Sequence, residues 1–249
     1  MIRRKLAGRR ILVTREADDA AHWAARLTAV GAHPLTLPCL VCEPISDEAT
    51  VHRLRDAITA ADWLLLTSAR GAQAVAQLLR GVTPLPVGLR IAAVGPATAR
   101  AATTHLGRVD LVARENTALG LAGQLAAALR EPASTRQVRA VIAAAATGSD
   151  DAAALLSAAG LAVTQVAVYR TVPAPAARTK RDLAADGVEI VLLASPSAVT
   201  GLLRLAVLPA SARVITIGPT TSTAATAAGL VVAGEAKRPT FEGILEAIV

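Results

Sequence analysis

Two stretches of this chain carry the same unusual junction, and it constrains the fold more than any other feature. Val214 to Gly229 reads VITIGPTTSTAATAAG: a short apolar run of strand character, a Gly-Pro step, then a Thr/Ser/Ala-rich run long enough for a helix. Proline suits the first helical position, where no backbone N–H is needed, and nearby Thr or Ser can cap free N–H groups. The spacing predicts a strand that ends at an open helix N-terminus, with unpaired donors and a partial positive charge suited to a carboxylate or phosphate. Ile91 to Ala101 (IAAVGPATARA) has the same layout, with Gly95 and Gly218 related by 218 − 95 = 123.

A repeated signal calls for a search for duplication, because a missed repeat mis-assigns the fold. Asp62 to Ala69 (DWLLLTSA) resembles Glu189 to Pro196 (EIVLLASP), with 195 − 68 = 127 between the serines, and the helical run closing at Gly31 matches that closing at Gly160, with 160 − 31 = 129. The chain therefore reads as two related halves, 8–130 and 138–249. In each, strands alternate with Ala-rich amphipathic helices, which predicts parallel α/β architecture. Hydrophobic residues make up 53% of the chain and aromatics 2%, so the cores are expected to be aliphatic.

The finer reading places helices at 18–30, 47–60, 72–79, 119–129, 150–159 and 180–185, and strands at 10–14, 63–66, 91–94, 138–143 and 190–193. Residues 32–43 and 161–172 are long extended runs bounded by prolines. The Pro-containing loop at 81–88 and the polar seam at 131–137 separate elements.

The net charge of +7 suggests nucleic acid only until it is localised. Arg3, Arg4, Lys5, Arg9 and Arg10 supply five positive charges and leave 7 − 5 = +2 for the remainder. The basic N-terminus reads as a solvated tail, and Trp23, Trp63, Tyr169 and Phe241 are too scattered for a base-stacking platform. No nucleic-acid partner is expected. After Arg9-Arg10 only Ile11, Leu12 and Val13 precede Thr14-Arg15, too few for an export signal, and no uncharged run is suited to a membrane span. The expectation is a soluble, cytoplasmic protein.

Cys39 and Cys42 form C-x-x-C in an extended context without a second ligand pair, and read as structural rather than as a zinc or thioredoxin-type motif. His22, His33, His52 and His105 are isolated, and no metal site is expected. What remains is a set of short polar groups at strand-to-helix junctions: Thr14-Arg15, Thr67-Ser68, Pro96 to Thr98, Ser195 to Ser197, and Gly218 with Thr220-Thr221. Each serves as a helix cap in any case. In open α/β sheets ligands bind beyond the carboxyl ends of strands, so the five together point to an anion cleft.

The ordered set Thr14-Arg15, Leu66-Thr67-Ser68, Ala93-Val94-Gly95-Pro96, Val168-Tyr169-Arg170-Thr171, Ser195-Pro196-Ser197, Ile217-Gly218-Pro219-Thr220-Thr221 and Pro239-Thr240 resembles the uroporphyrinogen-III synthase family along the whole chain. The resemblance implies two flavodoxin-like parallel-sheet lobes, residues 1–37 with 174–249 and residues 45–164, joined by linker strands 38–44 and 165–173, with the active-site cleft between the lobes. It implies a cofactor-free, monomeric lyase of tetrapyrrole (haem) biosynthesis. Such an enzyme cyclises hydroxymethylbilane, a polycarboxylate, with inversion of ring D and loss of water. Departure of the hydroxymethyl oxygen leaves an azafulvene, which ring D attacks to give a spiro intermediate. Tyr169 matches the family's functional tyrosine, the candidate general acid. Thr14, Arg15, Ser68, Ser195, Ser197, Gly218, Thr220 and Thr221 are the candidate substrate-binding residues. The segment Ala143 to Asp151 departs from the family: AAAATGSDD lacks an arginine often found there and carries two acidic residues that repel a polycarboxylate. Arg70 is a possible replacement for that charge. This departure motivates the alternative of a synthase-like ligand-binding or regulatory module without activity. A two-lobed binder of phosphorylated or sugar ligands is a third reading, by fold analogy alone.

Overall fold

A computed structural model describes residues 6–80, 85–129 and 136–248. The basic residues Arg3, Arg4 and Lys5, most of the seam at 131–137 and half of the loop at 81–88 lie outside the described residues. The chain divides into two compact units: Met1–Val41 with Val172–Val249 (unit 1), and Cys42–Thr171 (unit 2).

Unit 1 is built on a parallel sheet of five strands in the order β13-β12-β10-β1-β2. These are β1 (Arg10–Val13), β2 (His33–Thr36), β10 (Ile190–Leu193), β12 (Arg213–Thr216) and β13 (Val232–Glu235). The strand period of two sends Ile11, Val13, Ile190, Leu192 and Ile215 to one face, where helices α1 (Ala17–Ala29) and α9 (Phe241–Ile248) cover them. Leu12, Val191, Leu193 and Val214 point to the other face, under α7 (Pro196–Leu205) and α8 (Pro219–Ala227).

Unit 2 holds a six-stranded sheet, β3-β8-β7-β4-β5-β6, made of β3 (Leu40–Pro44), β4 (Trp63–Leu66), β5 (Arg90–Ala93), β6 (Leu111–Val112), β7 (Arg139–Ala145) and β8 (Ala162–Pro173). The five strands from β8 to β6 are parallel. Leu64, Leu66, Ile91 and Val141 pack under α2 (Glu48–Ala60), α3 (Ala69–Leu78) and α4 (Pro96–Leu106); Trp63, Leu65, Ala92 and Ile142 pack under α5 (Ala118–Ala128) and α6 (Asp151–Ala158). The chain passes from unit 1 to unit 2 inside β3 and returns inside β8.

The duplication is visible in detail. Ser68 and Ser195 cap α3 and α7 by accepting from Gly71 N and Ala198 N; Thr117 and Thr240 each accept from the glycine N three residues on. Each sequence half contributes its first two strands (β1 and β2, or β7 and β8) to one unit and its later strands to the other. Both sheets are therefore completed across the duplication, and neither is formed by one half alone.

Two expectations are corrected. Residues 180–185 are not a helix: Arg181–Asp182 form β9, paired with β11 (Ala206–Val207). Asp182 Oδ1 accepts from Ala184 N, and Gly187 has φ 66, so a turn closes within a stretch too short to nucleate a helix. Arg9 and Arg10 are not part of a free tail: Arg9 pairs with Glu189, and Arg10 opens β1 while its Nη1 donates to Asp186 O at 2.6 Å. No helix among the described residues is long and apolar enough to cross a membrane.

Candidate active site

In unit 2 the helix after β4 (α3) lies on one face of the sheet and the helix after the neighbouring β7 (α6) lies on the other. The carboxyl ends of β4 and β7 thus form a topological switch point, where the outgoing chains part and leave a crevice. A pocket of about 310 Å³ occupies it, lined by Thr67, Thr117, Ser149, Asp151, Gln165 and Tyr169 among others.

Tyr169, in the pocket wall, also reaches Ser68 because β8 is irregular. Ala144 pairs with Ala167 but Ala145 pairs with Tyr169, so Val168 is an extra residue. In a regular strand Val168 and Tyr169 would face opposite sides; the bulge turns both into the same buried cluster. Tyr169 is 9% exposed, and its Oη lies 3.1 Å from Ser68 Oγ, which also accepts from Gly71 N at 2.9 Å.

Around the pocket, Thr67 donates to Ala143 O at 3.3 Å, and Asp151 N donates to Ser149 Oγ at 3.1 Å. Gln165 Nε2 donates to Asp150 Oδ1 at 2.6 Å, which ties one of the two acidic residues of the 143–151 segment to the side chain of β8. Asp151 is the one charged residue among the described residues that line the pocket. Hydroxyl groups and the starts of α5 and α6 therefore supply the polarity, with no guanidinium or ammonium in the wall.

Unit 1 has its own switch point, at the ends of β1 and β10, since α1 and α7 lie on opposite faces. The candidate residues of this unit gather there and at the start of α8.

A family model described as uroporphyrinogen-III synthase HemD matches residues 21–246. The chain belongs to the uroporphyrinogen-III synthase family. A 117-residue stretch is 34% identical to the uroporphyrinogen-III synthase of Synechococcus elongatus, over 46% of this chain and 44% of that one. A porphyrin biosynthesis protein HemD of Ruminiclostridium josui is 25% identical over 207 residues, 81% of this chain and 40% of the relative. The chain thus spans less than half the length of these two relatives. Among solved structures, a mutant uroporphyrinogen III synthase of Thermus thermophilus aligns with TM-score 0.50 at 16% identity, over 96% of each chain. A Helicobacter pylori uroporphyrinogen-III synthetase aligns with TM-score 0.51 at 16% identity, over 96% of this chain and 97% of that one. At that identity the likeness concerns the fold: the α/β architecture with parallel sheets is that of the family.

The residues singled out in the sequence of this synthase-family chain have unequal surroundings. Thr14 is fully buried and its hydroxyl donates to Leu192 O at 2.7 Å, so it joins β1 to β10. Arg15 pairs with Asp19 at 2.9 Å and lies 4.8 Å from the Trp23 ring centroid. Ser195 accepts from Ala198 N at 3.2 Å as the cap of α7, and Ser197 follows in its first turn, half-buried. Gly218 precedes α8 with no side-chain cap on that helix; Thr220 is exposed, whereas Thr221 is 1% exposed with no partner for its Oγ1. Tyr169 and Ser68 are brought together; Thr14, Arg15, Ser195, Ser197, Gly218, Thr220 and Thr221 belong to the other unit.

Sequence reasoning missed Thr117, Ser149 and Gln165 as pocket residues. Thr117 had a legible signal, a threonine three residues before Gly120 at a helix start. Gln165 had none, because a strand glutamine gains its position only from the partner strand. The two cysteines are free: Cys39 is buried, its thiol pushed up to about 12 by burial, and Cys42 is half-buried. No group of three His, Cys, Asp or Glu residues able to hold a metal ion occurs among the described residues.

Proposed function

We propose that this chain is a uroporphyrinogen-III synthase that cyclises hydroxymethylbilane with inversion of ring D. The observation that carries the proposal is the position of the chain's single tyrosine, a phenol donor in the wall of a hydroxyl-lined pocket at a sheet switch point, in a chain of this family.

The chemistry asks little of the protein beyond a proton and a folded substrate. Tyr169 donates its proton to the departing hydroxymethyl oxygen; the C–O bond breaks with its electron pair on oxygen, and water leaves. The pyrrole nitrogen of ring A supplies the electrons that form the azafulvene, and ring D attacks it through the carbon that already bears its bridging methylene, giving the spiro intermediate. The older bridge bond then breaks with its electrons returning to ring D, which leaves an azafulvene on ring C; the free α-carbon of ring D attacks that methylene, and the proton lost as ring D rearomatises restores the balance. Tyr169→Phe is expected to lower kcat by about 100-fold with little change in KM, since a positioned general acid contributes about 10²–10⁴-fold. The start of α5, in the pocket wall, is proposed to bind a substrate carboxylate, as N–H donors at a positive helix end do. Among the unit 1 candidates Thr220 is exposed and Ser197 half-buried, and Gly218, itself buried, leaves open the space a Cβ would take.

The experiment is the isomer assay: the purified chain is incubated with hydroxymethylbilane and the products are separated after oxidation. Type III product supports the proposal; the spontaneous type I product alone overturns it. Asp151 in the pocket wall favours a second reading, a binding module without turnover. Saturable binding of a linear tetrapyrrole without type III product would select it.

A further inference from the structure

We propose that Ser68 is a positioning residue that sets the proton of Tyr169, rather than a substrate-binding hydroxyl. The proposal rests on the synthase reading above.

A serine hydroxyl has one proton and two lone pairs. Ser68 Oγ spends one lone pair on Gly71 N, 2.9 Å away, which fixes the side chain at the N-cap of α3. Its remaining neighbour is Tyr169 Oη at 3.1 Å. When Ser68 donates to Tyr169 Oη, the phenol proton is turned away from the serine and is free to leave toward the pocket. The phenolate left after transfer keeps the Ser68 hydrogen bond and lies near the positive end of α3. The one proton of Ser68 is thereby used, and it has no donor left for a carboxylate.

The duplicated serine separates this role from capping. Ser195 has nearly the same backbone (φ −168, ψ 159, against φ −161, ψ 158 at Ser68) and the same bond to the third amide on. The residue 129 positions before Tyr169, however, is Leu40. Ser195 caps a helix with no phenol to orient. The space around Ser68 is also tighter: a Cβ at Gly71 would stand 3.2 Å from Ser68 Oγ and 3.4 Å from Ala143 O, where the unit 1 counterpart Ala198 carries its methyl group.

The test uses Ser68→Ala, Ser68→Asp and Ser68→Thr in the full chain. Aspartate caps a helix as well as serine does, but when ionised it has no proton to give Tyr169. Ser68→Asp is expected to fold, to lose about tenfold or more in kcat with KM changed less than twofold, and Ser68→Thr to recover most of the rate; misplacement of a reacting group by about 1 Å costs on that order. A second readout needs no activity. Because Tyr169 is the one tyrosine in the chain, 3-fluorotyrosine incorporation gives a single ¹⁹F resonance. That resonance is expected to move in Ser68→Ala and Ser68→Asp, to return toward its native position in Ser68→Thr, and to stay in place in Ser195→Ala, whose melting temperature falls as much as that of Ser68→Ala. An unmoved resonance in Ser68→Asp, or native kcat in that variant, overturns the proposal. Absence of type III product from the unaltered chain would defeat the synthase reading, while the fluorine shift would still decide whether Ser68 orients the phenol.

Discussion

Gly95-Pro96 in unit 2 and Gly218-Pro219 in unit 1 begin α4 and α8 with the same local geometry, extended at the glycine (φ 176 and φ 167) and without a side-chain cap. Their surroundings differ. A Cβ at Gly95 would stand 2.5 Å from Asn116 Oδ1, whereas one at Gly218 would meet nothing within 4 Å. The duplicated signature builds two similar helix starts, and a single non-local side chain crowds one of them. The serine caps show the reverse asymmetry, since Ser68 meets Tyr169 while Ser195 meets no phenol. The Gly-Pro step is thus the less crowded in unit 1, and the serine cap the one with a phenol beside it in unit 2.

The largest test of this contrast lies at Gly201, whose counterpart in unit 2 is Ala74 (201 − 127). A Cβ at Gly201 would sit 1.9 Å from the Cys39 carbonyl oxygen, so Gly201→Ala forces backbone apart and is expected to cost about 3 kcal/mol or more, while Ala74→Gly costs about 1 kcal/mol; chemical denaturation measures both. Next, Gly95→Ala must displace Asn116 and is expected to lose about 1–2 kcal/mol, whereas Gly218→Ala stays within about 0.5 kcal/mol of the parent. Equal stability losses in the two would break the contrast.

The thiols give a smaller effect. Burial raises Cys39 from 9.0 to about 12, so its neutral form favours the fold below pH 9 and that advantage is lost between pH 9 and 12, where the unfolded thiol ionises and the folded one does not. Alkylation should modify Cys42 first and Cys39 only on unfolding; equal labelling rates would show that Cys39 is not shielded. The smallest effect is expected in acid. In unit 1 the hydrogen bonds from Arg181, Arg9 and Arg26 hold Asp186, Glu189 and Glu242 below their ordinary values, while in unit 2 Thr50 N–H does so for Asp47. Stability from such groups is present above the ordinary carboxylate range and is lost as pH falls through the lowered values. Exposed pairs contribute little, so the expected signature is an earlier loss of hydrogen-exchange protection in unit 1 than in unit 2 below about pH 4.

Much of the fold is legible in the residues because its signals are local. Trp63 to Leu66 and Ile190 to Leu193 read as strands from their apolar runs alone, and both are strands of those bounds. Residues 180–185 failed as a helix because an Asx turn and a left-handed Gly187 outweigh helical propensity over so short a stretch. The hydroxyls at the strand ends were likewise legible as a set, but the partners of Thr14 and Thr67 were not. Each donates to a carbonyl on the neighbouring strand, at Leu192 and Ala143, more than seventy residues away.

By itself, then, the sequence determined the α/β alternation, the duplication, the glycine and proline stops and the hydroxyls at strand ends, since these follow from φ/ψ preference and neighbours within a few residues. Only the tertiary structure decided that a bulge beside Ala145 turns Tyr169 toward Ser68, that Asn116 crowds one Gly-Pro step and not the other, and that each sheet is completed by two strands from the other half of the duplication. Those outcomes depend on which distant backbone lies alongside, and side-chain facing and access are set by that register rather than by local propensity.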